Sequence, residues 1–525
     1  TLDTSKTYAV HNLQGDGGTS TKSGNFVMNW GQDSSFASTH TAQANTDAAG
    51  IGDFYYSVPS GAKALCSANL PDPTIKLPNK HFDILTYTGT DTSASRTLTG
   101  LNFSPDWIWQ KRRNGTNWHT LIDQVRGVGK TLFSNDTSTE ATNNQYGYLS
   151  AFTSDGFTWS PGSTNNSDGN ETNGTFVSWC WDAGETDGKT YTVTVVSDSG
   201  NKYRFDGFGT SAVTLDLAEG GTYIFNYPSA HPFRFSTTAD GTHGGGSEYT
   251  TGVTVLSSTS IQIVVAASAP QLYYYCSIHS GMGGAVNTNS TLGSSNFDGS
   301  VQSTVKVNAT AGFSIIAYEG TGSTTTVGHG LGVKPDVMIF KNRDQAHGWL
   351  VYHKEIGATK NLSLNTMDAV ATASNKFNNT EPTSTVFTVS TAADSNQSGQ
   401  SIIAYCFNKV TGYSKFGSYT GNGNADGTFV FTGFRPAFII FRNTVTGHNW
   451  EIYDTKRPYG EYNPAFRPLY ANHNYVEETH ASLPALDILS NGFKPRSTWN
   501  EFNQNGSSIV YFAFAESPFK NARAR

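Results

Sequence analysis

Residues 105–118 read PDWIWQKRRNGTNW, and the pattern returns as PDVMIFKNRDQAHGW at 335–349 and PAFIIFRNTVTGHNW at 436–450. Each copy is a proline, an apolar run of strand length, a basic-polar turn and a tryptophan. Upstream lies one opener, YTGT at 87–90, YEGT at 318–321 and YTGN at 419–422. Tyr87 to Trp118, Tyr318 to Trp349 and Tyr419 to Trp450 are each 31 residues. A late apolar segment closes each copy: FVSWCWDAGE at 176–185, SIIAYCFNKV at 401–410 and SIVYFAFAES at 508–517. Three landmarks in register establish an internal repeat, which has to be recognised before single motifs are read.

The composition of the 525 residues points the same way. Charged residues make up 14%, while glycine (54 residues) and aromatics (13%) run high, which suits short strands and tight turns far better than helices. The length calls for several domains. No run of about 18 apolar residues is present to span a membrane, so no membrane insertion is expected. The net charge of −7 argues against nucleic acid, whose phosphates need concentrated Lys and Arg. The expectation is an all-β, multidomain chain of β-sandwich units.

Within the repeats, Cys180 and Cys406 fall at matching places and the third copy has Ala513 there. That predicts a small buried residue rather than a disulfide. Trp118, Trp349 and Trp450 are candidates for sugar-stacking platforms, but recurrence at one position favours core anchors. Asp123 with Arg126, and Asp454 with Arg457, could clamp a ligand; copy two has His353 and Lys354 instead, which favours a structural salt bridge. No serine elbow, metalloprotease helix or phosphate loop is present, and no carboxylate pair for glycoside hydrolysis can be assigned.

Between copies one and two, about 186–292, the chain changes character. Alternating segments such as Thr190–Val196 and Ser260–Val265 predict a compact sandwich. It contains YYYCSIHSGMGG at 273–284, which places Cys276, His279 and Met282 three residues apart, and an upstream His231 after TYIFNYPSA. Two imidazoles, a thiolate and a thioether are the donor types of a trigonal copper site with a weak axial ligand. The order of these residues resembles the cupredoxin family, and the resemblance implies one copper ion at His231, Cys276, His279 and Met282. The alternative is a buried hydrogen-bonded loop with no metal. His243 reads as an exposed loop residue rather than a fifth ligand.

The repeat opener, the strand-turn segment, and the phrases GQDSSFAST (31–39) and GIGDFYYSVPSGAKALCSANLPDP (50–73) are similar to segments of tail fibre and appendage proteins of marine bacteriophages. There the N-terminal phrases end a lectin-like, concanavalin/SPRY-type domain. The resemblance implies a virion structural protein for host attachment, assembled as a trimer with other virion proteins and binding a host surface glycan or protein receptor. No ligand-binding residue is assigned. Residues 1–80 are too few for a whole lectin-like sandwich and the chain starts without Met, so a fragment or mature piece of a longer protein is expected.

The expected domains are therefore 1–80, the end of a lectin-like domain; 81–185, repeat one; 186–292, the cupredoxin-like domain; 293–412, repeat two; and 413–525, repeat three. The rival readings are a secreted or surface copper-binding adhesion protein and a surface-polysaccharide depolymerase.

Overall fold

A computed structural model of the chain describes residues 28–184, 188–288, 292–445, 447–457, 463, 465, 467–477 and 486–521. The described residues are all-β, and none of their helices is long and apolar enough to cross a membrane. Two units separate at Asp72/Pro73, so residues 73–80 belong with the repeats rather than with the N-terminal segment. In the first unit, residues 28–72 carry one β-bridge, Asn45 to Phe54, and no strand of a sandwich. That segment is organised by the Asp47 carboxylate, which accepts hydrogen bonds from the Ala49, Ile51 and Ala64 N–H groups and the Asn69 amide.

The second unit contains the repeats, each a large sheet covered on one face by a small one. In repeat one the large sheet runs Phe82–Thr88, Thr175–Trp181, Trp107–Arg112, Thr120–Asp123, Lys130–Phe133, Ala141–Thr142. Successive side chains of a strand point to opposite faces. Trp107 and Trp109 therefore enter a core shared by all three repeats, while Ile108 enters the repeat's own. The same alternation sends Val337 and Ile339, and Phe438 and Ile440, into the shared core. Cys180, Cys406 and Ala513 occupy one equivalent outward position in the separate cores, and both cysteines are free and buried.

The opener has a physical explanation in every copy. Tyr87, Tyr318 and Tyr419 donate their hydroxyls to the carbonyls of Gly169, Ser395 and Phe502. Two residues on, a Cβ on Gly89, Gly320 or Gly421 would stand 2.0, 2.2 or 2.3 Å from a backbone oxygen, so only glycine fits. The following N–H donates to the side chain of Asn170, Asn396 or Asn503. That asparagine, followed by Glu or Gln in all three copies, is a further repeat landmark that the sequence reading missed.

The tryptophan landmark needs correction. Tyr87 to Trp107 is 20 residues, whereas Tyr318 to Val337 and Tyr419 to Phe438 are 19. A turn one residue shorter then restores the 31-residue spacing. By strand pairing, the residue equivalent to Trp349 and Trp450 is His119, not Trp118. Trp349 and Trp450 are fully buried and donate their indole N–H groups to the Phe133 and Ser363 carbonyls of the preceding repeat. Trp118 is a 38% exposed turn residue packed on Phe133, so it is no core anchor.

The acid–base pairs close the repeats into a ring. Asp123 binds Arg126 and accepts the Tyr405 hydroxyl of repeat two at 2.7 Å. Asp454 binds Arg457 and accepts the Trp179 indole of repeat one at 2.9 Å. Glu140 joins Arg126 to Arg343 of repeat two, and Glu477 joins Arg457 to Arg113 of repeat one. At the junction of repeats two and three, His353 takes the aspartate's place, stacked on Phe512, and Lys354 pairs with Asp336.

The segment 186–292 forms a two-sheet sandwich. One sheet runs Asn201–Phe205, Gly188–Ser197, Thr222–Asn226, Ser260–Val264, Val253–Ser257; the other runs Leu215–Leu217, Gly284–Thr288, Leu272–Cys276, Phe233–Ser236. Its border with repeat two is shared. Ser294–Asn296 pairs with the repeat-two strand Ser303–Asn308, while Phe297 just beyond it is buried in the sandwich core.

Two predictions follow from the ring. Trp349→Ala and Trp450→Ala are each expected to cost about 3–5 kcal/mol, and Trp118→Ala under about 1 kcal/mol, by denaturant midpoint. Burial also pulls His353 down to about 3 and His329 to about 4, and holds His119 well below its ordinary range. The unfolded chain protonates these rings near pH 6.5 and the folded chain does not, so stability is complete above that pH and falls as pH drops toward 3. His353 alone should account for about 2 kcal/mol by pH 5, and His353→Gln should remove that part of the slope in melts between pH 7 and 5.

Candidate metal centre

The pairing of two strands builds the site. Leu272–Cys276 runs antiparallel to Phe233–Ser236 with Cys276 opposite Phe233, and the Ser277 N–H reaches the Pro232 carbonyl at 3.1 Å. Because side chains alternate, Leu272, Tyr274 and Cys276 all face the core. The chain then leaves the core through exposed Ser277–Gly281 and returns with Met282 fully buried. That return is tight: a Cβ on Gly283 would lie 1.7 Å from the Tyr274 carbonyl oxygen. The Gly281 N–H is held by the Asp240 carboxylate at 2.8 Å.

His231 arrives on the other loop. Its N–H closes a turn onto the Pro228 carbonyl, and its own carbonyl accepts the Tyr203 hydroxyl at 2.7 Å. This brings together three of the residues the sequence singled out. One donor atom each from His231, Cys276 and His279 lies within 4.8 Å of the others. Cys276 Sγ and His279 Nδ1 are 3.6 Å apart, and the two imidazole centroids 4.7 Å. His231 Nδ1 is buried with no hydrogen-bond partner among the described residues.

These values fit a bound metal. Metal–nitrogen and metal–sulfur bonds of about 2.0–2.3 Å place trigonal donors about 3.5–3.9 Å apart. The Cys276–His279 edge is at that length already, and a His231 nitrogen within 4.8 Å of both could supply the third donor. Met282 is buried in the same core as Cys276, where a thioether can serve as a weak axial group. His243 stands outside the group: it is exposed and its Nε2 meets the Cys276 carbonyl at 3.0 Å.

Tyr203 is the residue that the sequence reading passed over. It sits fully buried in Asn201–Phe205, and its N–H donates to the Met282 carbonyl at 3.0 Å. Burial raises its phenol well above the ordinary range, with the Cys276 thiol pushing the same way, so it is a neutral donor. Nothing in NKYRF marks this role; only the strand's packing reveals it.

A family model described as a domain of unknown function (DUF7483) matches residues 77–224 and 287–518. The chain belongs to that family. The matched DUF7483 segments cover the repeats and the first part of the sandwich, and all four candidate ligands fall in the interval between them. No curated protein and no solved structure matches the chain.

A cleft of about 870 Å³ lies elsewhere in the DUF7483 segments, between repeats one and three, and its lining includes Asp83, Asp454 and Glu516. Arg457 takes up Asp454, Arg435 takes up Glu516 at 2.7 Å, and Asp83 accepts the Ile84 N–H.

Proposed function

We propose that the chain binds one copper ion through the His231 and His279 imidazoles and the Cys276 thiolate, with Met282 as axial thioether, and that a structural appendage subunit carries this centre. The observation behind the copper reading is the convergence of donors from two loops, one of them carrying a buried imidazole nitrogen with no hydrogen-bond partner among the described residues. Soft sulfur donors with two imidazoles select copper over harder ions.

Bound there, copper would supply a one-electron couple and a cross-link between the loops. The chain's own residues do the rest. Strand pairing holds Cys276 in the core, Met282 closes the inner side against water, and Gly283 allows the loop to turn back. Because the ligands come from segments 45 residues apart, Cys276 to His231, the cross-link alone is a sufficient role.

For the scaffold we infer a virion appendage, of the phage tail fibre kind, that attaches to a host surface glycan or protein. The support is the repeated β units, the low charge and the similarity of the quoted phrases to such proteins. Three repeats already share one core within a single chain, so the expected association into trimers would use outer surfaces rather than that core.

Titration with Cu(II) should give an intense thiolate-to-copper absorption that saturates at one equivalent and is lost in Cys276→Ser. At copper about 100-fold above its Kd the sandwich should gain about 2.7 kcal/mol of stability. Protein that stays metal-free, or that takes up zinc but never shows the band, would sink the copper reading. Copurification with virions tests the appendage, and release of oligosaccharide from envelope material would replace it with a depolymerase.

A further inference from the structure

We propose that Tyr203 is the positioning residue of this site: it holds the His231 and Met282 loops in place for copper. The inference rests on the copper reading above and adds a residue outside the ligand set.

Tyr203 bonds two of the four ligand residues through different atoms. Its hydroxyl donates to the His231 carbonyl at 2.7 Å, and its N–H donates to the Met282 carbonyl at 3.0 Å. Its ring is fixed by Phe233 at 5.3 Å and Tyr274 at 6.3 Å, both on the strands that carry the site. A phenol so held has little freedom except to rotate its O–H bond.

Partners that orient metal ligands are worth about 10–100-fold in metal affinity, and Tyr203 ties down the segments of two ligands at once.

The test compares wild type, Tyr203→Phe and Tyr191→Phe. Tyr191→Phe removes another buried hydroxyl of the same core, one that donates to the Ser295 carbonyl away from the ligands. Each protein is loaded with Cu(II), and the thiolate band, reduction potential, copper affinity and metal-free melting temperature are read. Tyr203→Phe keeps the ring but loses the bond to the His231 carbonyl, and is expected to bind copper about 10–100-fold more weakly with a displaced band. Tyr191→Phe is expected to match wild type in band and affinity. Equal band and affinity in Tyr203→Phe and wild type overturns the proposal, as does an equal displacement in both variants, which would mean general loosening of the core. Should Tyr203→Phe melt early, the band of its loaded fraction is still decisive, since only a folded site produces it. Wild type that takes up no copper removes the copper reading itself and this inference with it.

Discussion

The structure depends on one constraint: the inner faces of three large sheets have nothing to bury against except one another. Trp107, Trp109, Trp179 and Trp181 from repeat one meet Tyr405 and Phe407 from repeat two and Phe438, Phe512 and Phe514 from repeat three. Trp107 stacks on Tyr405 at 4.6 Å, and Phe82 on Phe514 at 5.2 Å. Each repeat has its own outer core, yet an isolated repeat would expose a broad aromatic face. Burial of such area is the dominant favourable term in folding. The repeats are therefore one cooperative body, unlike solenoid repeats that contact only their neighbours.

Charge then fixes how the three bodies are turned. A buried aspartate without a partner is costly, and so is a buried arginine. Asp123–Arg126–Glu140 and Asp454–Arg457–Glu477 satisfy each other only when Arg343 and Arg113 arrive from the next repeat. These pairs specify register more than they add stability. At the third junction Ile356 and Val370 stand near the shared core, Val370 donates its N–H to Thr444, and His353 packs on Phe512. One junction has exchanged ion pairs for apolar contact and a neutral imidazole, so acid acts on that junction through His353.

How much of this was legible varies with the range of the cause. The repeats could be read because their landmarks are local strings that recur. The reason for Tyr-x-Gly-x could not, because its partners Asn170, Asn396 and Asn503 lie 75–81 residues downstream. Trp118 was misplaced because a longer segment before the strand and a shorter turn after it cancel in the count, and only strand pairing shows His119 in the slot. The four candidate ligands were legible because their chemistry is concentrated in short loops. Tyr203 was not, because a lone tyrosine on an alternating strand looks like any core residue until its hydroxyl is seen on the His231 carbonyl.

The inserted sandwich shows why such a site can sit beside so constrained a ring. It enters where repeat one ends and repeat two begins, and it is anchored through the short strand Ser294–Asn296, with Phe297 in its own core and the Tyr191 hydroxyl on the Ser295 carbonyl. The ring core contains none of its residues, so the two cores can vary separately. The loop that carries His279 is short of regular hydrogen bonding: Ser277–Gly281 is exposed and is held mainly through Ser277, Gly281 and the contacts of Cys276. A cross-link there would act where few backbone hydrogen bonds tie the loop down. The sulfur and imidazole donors thus stand where the backbone supplies least.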